Sequence, residues 1–292
     1  MKEKIIQNLA TVKSLSTGVK ADLLARKDKP EFPITSLPDL NHKMWGLKKG
    51  LNVVASRTSQ GKSSITSQMC YDTAKAGLPT LLLSLEDDAQ TIIEKMYCQQ
   101  QYIDNELLQR GHFIKDYSYQ NKWDVFIENF PRNLLITNEI GSTFQEINFL
   151  IESLNPMPRV ICVDYLQNIK ATSKNEREAF DEYIRHFRAL CIKNNIAGIL
   201  VSQMNRMAGG AEGVISLENL KGTGGLEEKS EMVILLHWEY FHTRNEAKKN
   251  EYTVIIAKNK RGRTGKHMLH YTPEHYRFNE VVPEEGFKAY KE

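Results

Sequence analysis

The sequence is poor in cysteine, and its cysteines show none of the spacings of a metal site or a disulfide framework. Four of them are scattered over 292 residues without a C-x-x-C pair: Cys70, Cys98, Cys162 and Cys191. Scattered single cysteines are typical of small buried hydrophobic side chains in a reducing compartment. We interpret His237 and His242 as residues of a strand end and a loop, and we expect no metal site built from Cys and His.

Long apolar runs are missing as well. No stretch approaches the roughly 18 consecutive apolar residues that a membrane-spanning helix needs. The N-terminus, MKEKIIQNLATVK, is charged and has no signal-peptide core. The sequence therefore predicts a cytoplasmic protein without a membrane partner.

The net charge is small too, at +3, and by itself says little about partners. Its distribution says more, because residues 241–270 hold eight Lys or Arg against two Glu and no Asp. This region is locally basic. A hydrophobic share of 41% and a charged share of 26% are ordinary for a globular protein, and the length suits one large domain or two small ones.

Short apolar strands alternate with amphipathic helices along most of the chain. The predicted strands are residues 51–55, 80–86, 134–137, 159–165, 197–203, 231–237, 252–257 and 267–271. The predicted helices are residues 61–76, a segment from about 88, 142–154 and 179–195, with 103–133 helical but poorly defined. Continuous apolar strands between helices predict an α/β fold, a mostly parallel sheet covered on both faces. The short connections between the last strands predict an antiparallel edge.

The N-terminal segment carries apolar residues at helical spacing: Ile6, Leu9, Val12, Leu15, Val19 and Leu23. The stripe has no partner within its own segment, so it must pack on something else. The stretch that follows, DKPEFPITSLPDLN, contains three prolines and is typical of a connector and loop.

The stretch SRTSQGKSS, residues 56–64, follows a predicted strand and opens a predicted helix. It matches the phosphate-loop pattern G-x-x-x-x-G-K-[ST], except that Ser56 replaces the first glycine. Backbone N–H groups of such a loop converge on an anion at the helix N-terminus. Lys62 would reach the β and γ phosphates, and Ser63 would hold Mg²⁺. The alternative is an ordinary helix start capped by Ser59.

Three strand ends carry side chains that a nucleotide hydrolase needs. Asp164 ends RVICVD and could bind Mg²⁺ or its water, and Glu86 ends TLLLSLE and could polarise the attacking water. Gln203 ends AGILVSQ, where an amide could sense the γ phosphate. Taken singly, Glu86 could instead be a charge at a helix start, and Gln203 an amide that caps the next loop.

Together these residues resemble the motor domain of the DnaB-type replicative helicases, which are RecA-like P-loop ATPases. The resemblance covers roughly residues 30–280 and rests on stretches in the family's order, among them LLLSLEDDAQ, VICVDYLQNIK, GILVSQMNR and IIAKNKRGRTGKHML. The family also begins its phosphate loop with a small residue other than glycine, so Ser56 fits the pattern. The nucleotide-contacting positions that the resemblance implies are Ser56, Arg57, Thr58, Ser59, Gln60, Gly61, Lys62, Ser63, Ser64 and Asp164.

The resemblance implies a ring, usually of six subunits, that uses ATP and Mg²⁺ to move along single-stranded DNA during replication. A primase or a loader is a further expected partner. Two loops should face the channel, about residues 170–177 and 206–225, with DNA-binding positions at Arg206, Lys221, Gly222 and Gly224. A cation beside glycine-rich backbone suits a grip on phosphates of any sequence. The alternative is a flexible surface loop.

The basic turn AKNKRGRTG, residues 257–265, lies between two apolar strands. The resemblance implies that Lys258 is a sensor lysine. It also implies that the residue two positions further on is an arginine finger, a cationic side chain that reaches the γ phosphate of the ATP bound to the neighbouring subunit. That position is Lys260 here, and the arginine is displaced to Arg261, which we favour for the role over Lys260. A solvated basic tip is the alternative. For the adenine we expect stacking on Tyr276, with Trp238 or a plain core role as alternatives.

The resemblance implies that residues 1–30 form a linker-type helix and residues 31–292 the motor domain. Such helicases usually carry an N-terminal helical domain, for which about 30 residues leave no room, so a short phage- or plasmid-type helicase or an excised motor domain is expected. Packing of the N-terminal helix on its own domain is the alternative to docking on an adjacent subunit. The leading functional interpretation is a helicase; the others are a DNA-binding ATPase or assembly factor that does not unwind, and a structural ring subunit.

Overall fold

The computed structural model describes residues 12–25, 29–138, 142–170, 176–204, 215–220 and 225–281. The chain divides into two compact units, Met1–Pro30 and Glu31–Glu292. In the first unit, helix α1 spans Val12–Ala25, which confirms the predicted helical spacing over this stretch. Ile6 and Leu9 lie outside the described residues.

The second unit is built on one sheet. Its nine strands in the described part of the chain are β1 (Gly50–Ser56), β2 (Thr80–Ser84), β3 (Leu134–Asn138), β4 (Val160–Asp164), β5 (Ala197–Gln203), β6 (Met232–His237), β7 (Glu251–Asn259), β8 (Gly265–Thr272) and β9 (Arg277–Glu280). The strand order is β3-β2-β4-β5-β1-β6-β7-β8-β9. The first six strands in this order, β1 to β6, pair in parallel with their neighbours. β7, β8 and β9 then extend the sheet with antiparallel pairing. The predicted fold class is thereby confirmed.

Helices connect most of the strands, whereas a short turn joins β7 to β8. The helices of this unit are α2 (Pro38–Met44), α3 (Lys62–Lys75), α4 (Ala89–Gln101), α5 (Asn105–Gln109), α6 (His112–Lys115), α7 (Tyr117–Glu128), α8 (Phe144–Ser153), α9 (Glu176–Lys193), α10 (Leu226–Lys229) and α11 (Glu239–Thr243). Within the described ranges, none of the helices combines the length and the apolar composition that crossing a membrane would take.

The central strands β1, β2, β4, β5 and β6 are buried on both faces of the sheet, which is why they are apolar at successive positions. In β1, Val54 belongs to one core cluster, whereas Val53 and Ala55 belong to the other. The first cluster includes Ile65 of α3 and the second includes Phe187 of α9. The central strands are therefore held between two layers of helices. Because these strands are parallel, their carboxyl ends lie side by side, and this line of strand ends is the edge of the sheet referred to below.

Three predictions about local structure were wrong. Helix α2 forms in the proline-rich stretch expected to be a loop, because Pro38 occupies its first turn, where no N–H bond is lost, and Leu40 and Met44 are buried. Strand β2 ends at Ser84 rather than at residue 86. Strand β9 was missed because four residues with one buried side chain, Phe278, carry too little pattern.

Candidate functional site

The functional side chains predicted at strand ends lie along one edge of the sheet. β2, β4, β5 and β1 are neighbours in this order and run parallel. Ser84 is in register with Asp164, and Ser56 with Gln203. Because parallel strands end at the same edge, Glu86, Asp164, Gln203 and the loop after Ser56 are brought together, at the place where open α/β sheets bind ligands.

The phosphate loop takes its shape without a glycine at its first position. Ser59 and Gly61 adopt the left-handed conformation, with φ angles of 59° and 76°, whereas Ser56 does not. Ser56 is fully buried, and its hydroxyl donates to the Arg57 carbonyl at 2.7 Å. The position therefore requires a small residue, and serine meets that requirement. At Gly61 a β-carbon would lie 3.1 Å from the Phe278 ring, so the loop packs closely against β9.

Lys62 begins α3 and is 9% exposed. Its Nζ donates to the Arg57 carbonyl at 3.2 Å, which turns the ammonium group back over the loop. Burial lowers the pKa of Lys62, while the nearby carboxylates of Asp164 and Glu86 act in the opposite direction. The loop thus holds one cation facing two carboxylates, an arrangement that suits a phosphate group between them.

Asp164 is the most buried carboxylate of this edge. Burial raises the pKa of Asp164 to about 6; a hydrogen bond from Ser63 and the charge of Lys62 lower it, and Glu86 raises it. Its Oδ1 has no hydrogen-bond partner among the described residues. An unpaired buried carboxylate oxygen beside a serine hydroxyl is the kind of oxygen ligand set that Mg²⁺ takes.

The raised pKa of Asp164 predicts an unusual effect on stability. Between about pH 4 and pH 6 the folded protein binds this proton more tightly than the unfolded chain does, so the stabilising contribution is complete below the unfolded pKa and is lost as the pH rises through about 6. At pH 7 the charged side chain destabilises the ligand-free protein by an amount on the order of 3 kcal/mol.

We therefore expect Asp164→Asn to raise the free energy of unfolding at pH 7 by about 1–3 kcal/mol and to weaken its dependence on pH between about 4 and 6. Urea unfolding of the nucleotide-free protein at pH 4, 6 and 7 measures both effects. Asp124→Asn, an exposed change on α7, is the matched control. A variant no more stable than the wild-type protein at pH 7 would contradict the prediction.

Glu86 lies just beyond β2 and is exposed. The Ser84 hydroxyl accepts hydrogen bonds from the Asp87 N–H at 3.0 Å and the Glu86 N–H at 3.4 Å, which shapes the turn after the strand. Among the described residues the carboxylate of Glu86 takes part in no hydrogen bond or ion pair, although its charge acts on Lys62 and Asp164. It is placed to accept a proton from a water molecule at this edge.

Gln203 contacts the phosphate loop directly, because its Nε2 donates to the Thr58 hydroxyl at 2.7 Å. Gln167 holds it in place: Nε2 of Gln167 donates to the Gln203 carbonyl at 3.2 Å and to the Ser202 hydroxyl at 3.0 Å. Gln167 lies in the stretch VICVDYLQNIK, but the sequence patterns assigned it no role. Its fixed spacing from Asp164 was the available signal.

A second anchor of the loop was missed entirely. Gln60 is fully buried, its carbonyl accepts from the Tyr252 hydroxyl, and its Nε2 lies 2.6 Å from Nε2 of His242. Burial and the charges of Arg57 and Arg244 lower the pKa of His242, which favours the neutral ring that can accept from an amide. His242 is 182 residues away in sequence, so no local pattern could have indicated the contact.

Tyr276 lies beside the first turn of the phosphate-loop helix. Gln99 of α4 donates to the Ser64 carbonyl at 3.0 Å and to the Tyr276 carbonyl at 2.7 Å, which links the two segments. The Tyr276 ring is partly buried against the core. Trp238, the alternative, is 8% exposed and donates its indole N–H to the Lys249 carbonyl at 2.8 Å, which makes it a core residue.

The structure does not bring the predicted finger residues together with Lys62. β7 runs antiparallel to β6 and pairs its last residue, Asn259, with Met232, the first residue of β6. Met232 pairs in turn with Asn52, near the start of β1. The turn after Asn259 therefore lies at the opposite edge of the sheet from the phosphate loop, roughly 15–20 Å away by strand rise.

Lys258 and Lys260 are engaged within their own chain. Nζ of Lys258 donates to the carbonyls of Glu227 and Glu228 in α10, and burial lowers its pKa. Nζ of Lys260 lies 3.4 Å from a carboxylate oxygen of Glu231. Arg261 is exposed. The DNA-binding candidates Arg206, Lys221, Gly222 and Gly224 lie outside the described residues.

Comparisons with known sequences point the same way as the geometry. The sequence model of the family "DnaB-like helicase C terminal domain" matches residues 34–280. The replicative DNA helicase DnaB of Haemophilus influenzae is 25% identical over 288 residues, which are 94% of this chain and 61% of that protein. A probable plasmid replicative DNA helicase of Chlamydia trachomatis is 26% identical over 271 residues, 86% of this chain and 55% of that protein. The chain thus spans little more than half the length of these curated relatives.

Two solved structures have a similar fold. One is the ATPase domain of another protein, with a TM-score of 0.84 at 18% identity. The match covers 94% of this chain and 100% of that domain. The other, a DnaB-like replicative helicase studied with its primase interactions, shares a TM-score of 0.84 at 18% identity over 95% of this chain and 70% of that chain. These likenesses concern the fold, which is RecA-like.

Proposed function

Because the chain belongs to the DnaB-like helicase C-terminal domain family, we propose that it is the motor of an ATP-dependent DNA helicase that acts as a ring on single-stranded DNA during replication. The observation that carries the proposal is the convergence of Lys62, Ser63, Glu86, Asp164 and Gln203 at the ends of four adjacent strands. A cation, a hydroxyl, two carboxylates and an amide are the groups that phosphoryl transfer to water requires.

The site fits ATP with Mg²⁺. Backbone N–H groups of residues 57–63 would surround the β phosphate at the N-terminus of α3, with Lys62 as the cation. The unpaired Oδ1 of Asp164 and the hydroxyl of Ser63 would hold Mg²⁺, directly or through water. Mg²⁺, when bound, offsets the charge that develops on the phosphate oxygens. Tyr276 would pack against the adenine.

Glu86 would act as the general base. Its carboxylate follows β2, next to the strand that ends at Asp164, and faces the cation of Lys62 across the edge. Gln203, fixed by Gln167 and bonded to Thr58, would report the presence of the γ phosphate to the loop that follows β5. Turnover would thus change contacts at the start of the segment expected to grip DNA.

The position of the basic hairpin, which is formed by β7, β8 and the basic turn between them, favours an assembly of several copies of the chain. A turn at the edge opposite the phosphate loop cannot contact the nucleotide of its own subunit, but in a ring it can contact that of a neighbour. We propose that residues 1–30 serve as a linker segment whose helix, Val12–Ala25, docks on an adjacent subunit, and that residues 31–292 form the motor. We also propose that the protein binds a primase or a helicase loader.

Lys221→Ala is expected to weaken binding to single strands of any sequence about equally and to lower the salt slope of binding by about one unit, because it removes one phosphate contact. Titrations against several sequences at a series of salt concentrations measure both quantities. Lys122→Ala, an exposed change on α7, is the control. A loss that depends on the base sequence, or no loss, would remove this lysine from the DNA grip.

The test of the proposed function is the rate of ATP hydrolysis with and without single-stranded DNA, followed by strand displacement on a forked duplex. Stimulated hydrolysis with displacement supports a helicase. Stimulated hydrolysis without displacement supports the second candidate, a DNA-binding ATPase, which the same site would serve. Absence of DNA stimulation would contradict both.

A further inference from the structure

The feature of interest is a buried carboxylate at the edge of the sheet opposite the phosphate loop. Glu231 directly precedes β6, and its side chain is 11% exposed. Its Oε2 accepts the Leu51 N–H at 2.8 Å. Its Oε1 accepts from Arg188 of α9, with Nη2 at 2.6 Å and Nε at 3.0 Å. A carboxylate bonded to a guanidinium and a backbone N–H is held in one orientation.

The backbone at this point is shaped around the carboxylate. Gly50 has a φ of 101°, and a β-carbon there would lie 2.6 Å from Oε2 of Glu231. The Glu231 N–H donates to the Leu51 carbonyl at 2.8 Å, which completes a two-way link between β1 and Glu231. The start of β1, the strand that leads to the phosphate loop, is therefore fixed by hydrogen bonds to Glu231.

Glu231 also holds Lys260, the first residue after β7, at two points. The Lys260 N–H donates to the Glu231 carbonyl at 2.9 Å, and the Lys260 ammonium lies 3.4 Å from Oε1. The Lys260 side chain is 40% exposed, so the ion pair is modest in energy but sets a direction. The ammonium group is directed toward its own subunit.

Arg261 has the opposite environment. It is exposed, and no hydrogen bond or ion pair of its guanidinium is found within the described part of the chain. Its charge instead acts on Lys48, whose pKa is lowered by burial and by Arg261. A planar guanidinium beside another cation, without a carboxylate of its own, is suited to accept an anion from outside the subunit.

We propose that Glu231 is the positioning residue of the hairpin, holding Lys260 on its own subunit and leaving Arg261 as the cation presented to the neighbour's nucleotide. This inference rests on the proposed function, because it needs a ring in which the hairpin meets a second ATP site. In this proposal Glu231 does not contact the nucleotide. It acts by forming an ion pair with Lys260, one of two adjacent cations, so that of the two only Arg261 remains unpaired among the described residues.

The test compares the DNA-stimulated kcat of single and double variants in the full chain. Arg261→Ala is expected to lower kcat by about a thousandfold or more, as loss of an arginine finger does, while Lys260→Ala lowers it by roughly threefold at most. In the Arg261→Ala background, Glu231→Gln is expected to raise kcat by about fivefold, because Lys260 is released to act as a weaker finger. A purely structural glutamate would lower kcat.

Glu251→Gln in the same background is the matched control, because Glu251 is an exposed acid on β7 that pairs with Lys248; it should give no increase. A thermal melt shows whether Glu231→Gln is folded, and the comparison of Lys260→Ala with Arg261→Ala needs no change at Glu231. An equal loss in those two variants, or no gain from Glu231→Gln in a folded protein, overturns the inference alone. Wild-type protein without DNA-stimulated hydrolysis overturns the proposed function and this inference together.

Discussion

Replacing Lys62 with alanine is expected to weaken ATP binding by at least about a hundredfold and to abolish measurable hydrolysis. The ammonium group is nearly buried, lies over the loop and faces the carboxylates of Asp164 and Glu86. Without it, bound phosphates would lie against two carboxylates with no side-chain cation between them. Removing one partner of a buried charge pair costs about 3–5 kcal/mol, which corresponds to a factor of roughly 10² to 10⁴ in affinity.

Binding of a fluorescent ATP analogue and steady-state hydrolysis measure the two effects of Lys62→Ala. The control is Lys75→Ala at the other end of the same helix, where Nζ lies over the Tyr71 ring, 5.9 Å from its centroid. This change removes an equal charge from α3 at a distance from the loop. Tight ATP binding by the Lys62 variant would show that the loop does not hold the phosphates through this side chain.

Replacing Glu86 with glutamine is expected to lower kcat by about 10² to 10⁴ while leaving ATP affinity within about threefold, because it removes a base but no ground-state phosphate contact. The amide has nearly the shape of the carboxylate but cannot take a proton from water. Loss of a negative charge near Lys62 should if anything favour an anionic ligand. Affinity and kcat therefore separate in this variant, whereas in Lys62→Ala they fall together.

Single-turnover hydrolysis, beside equilibrium binding, isolates the chemical step of Glu86→Gln from product release. Glu94→Gln, an exposed change on the following helix α4, is the control. Normal hydrolysis by the Glu86 variant would assign the base to another group of the edge, of which Asp87, paired with Lys95 at 2.6 Å, is the nearest carboxylate in sequence.

The fold class and most strands could be predicted because they depend on local signals. A buried parallel strand requires an apolar run, and the run in TLLLS marks β2 whatever it pairs with. The phosphate loop was equally visible, because a strand, a turn with left-handed residues and a helix N-terminus follow one another within 56–64. Helix α2 and strand β9 were not visible, since a proline at a helix start looks like a breaker and four residues carry too little periodicity.

The side chains of the candidate site could be chosen from the sequence, but their support could not. Glu86, Asp164 and Gln203 stand at the ends of apolar runs, and parallel strands end at one edge. The amide pair Gln167–Gln203 and the contact of Gln60 with His242 join residues that are 36 and 182 positions apart. No local rule specifies which partner a buried amide finds at such a separation.

By itself, the sequence determined a parallel α/β sheet with a phosphate loop and two carboxylates after neighbouring strands, because apolar runs, turn residues and strand-end charges act over a few residues. Tertiary structure alone decided that the basic hairpin lies at the edge opposite Lys62, that Glu231 occupies Lys260, and that Arg261 is exposed. The physical reason is strand direction and register: reversing one strand in the sheet moves its charged end from one edge to the other, and only the assembled pairing sets that direction.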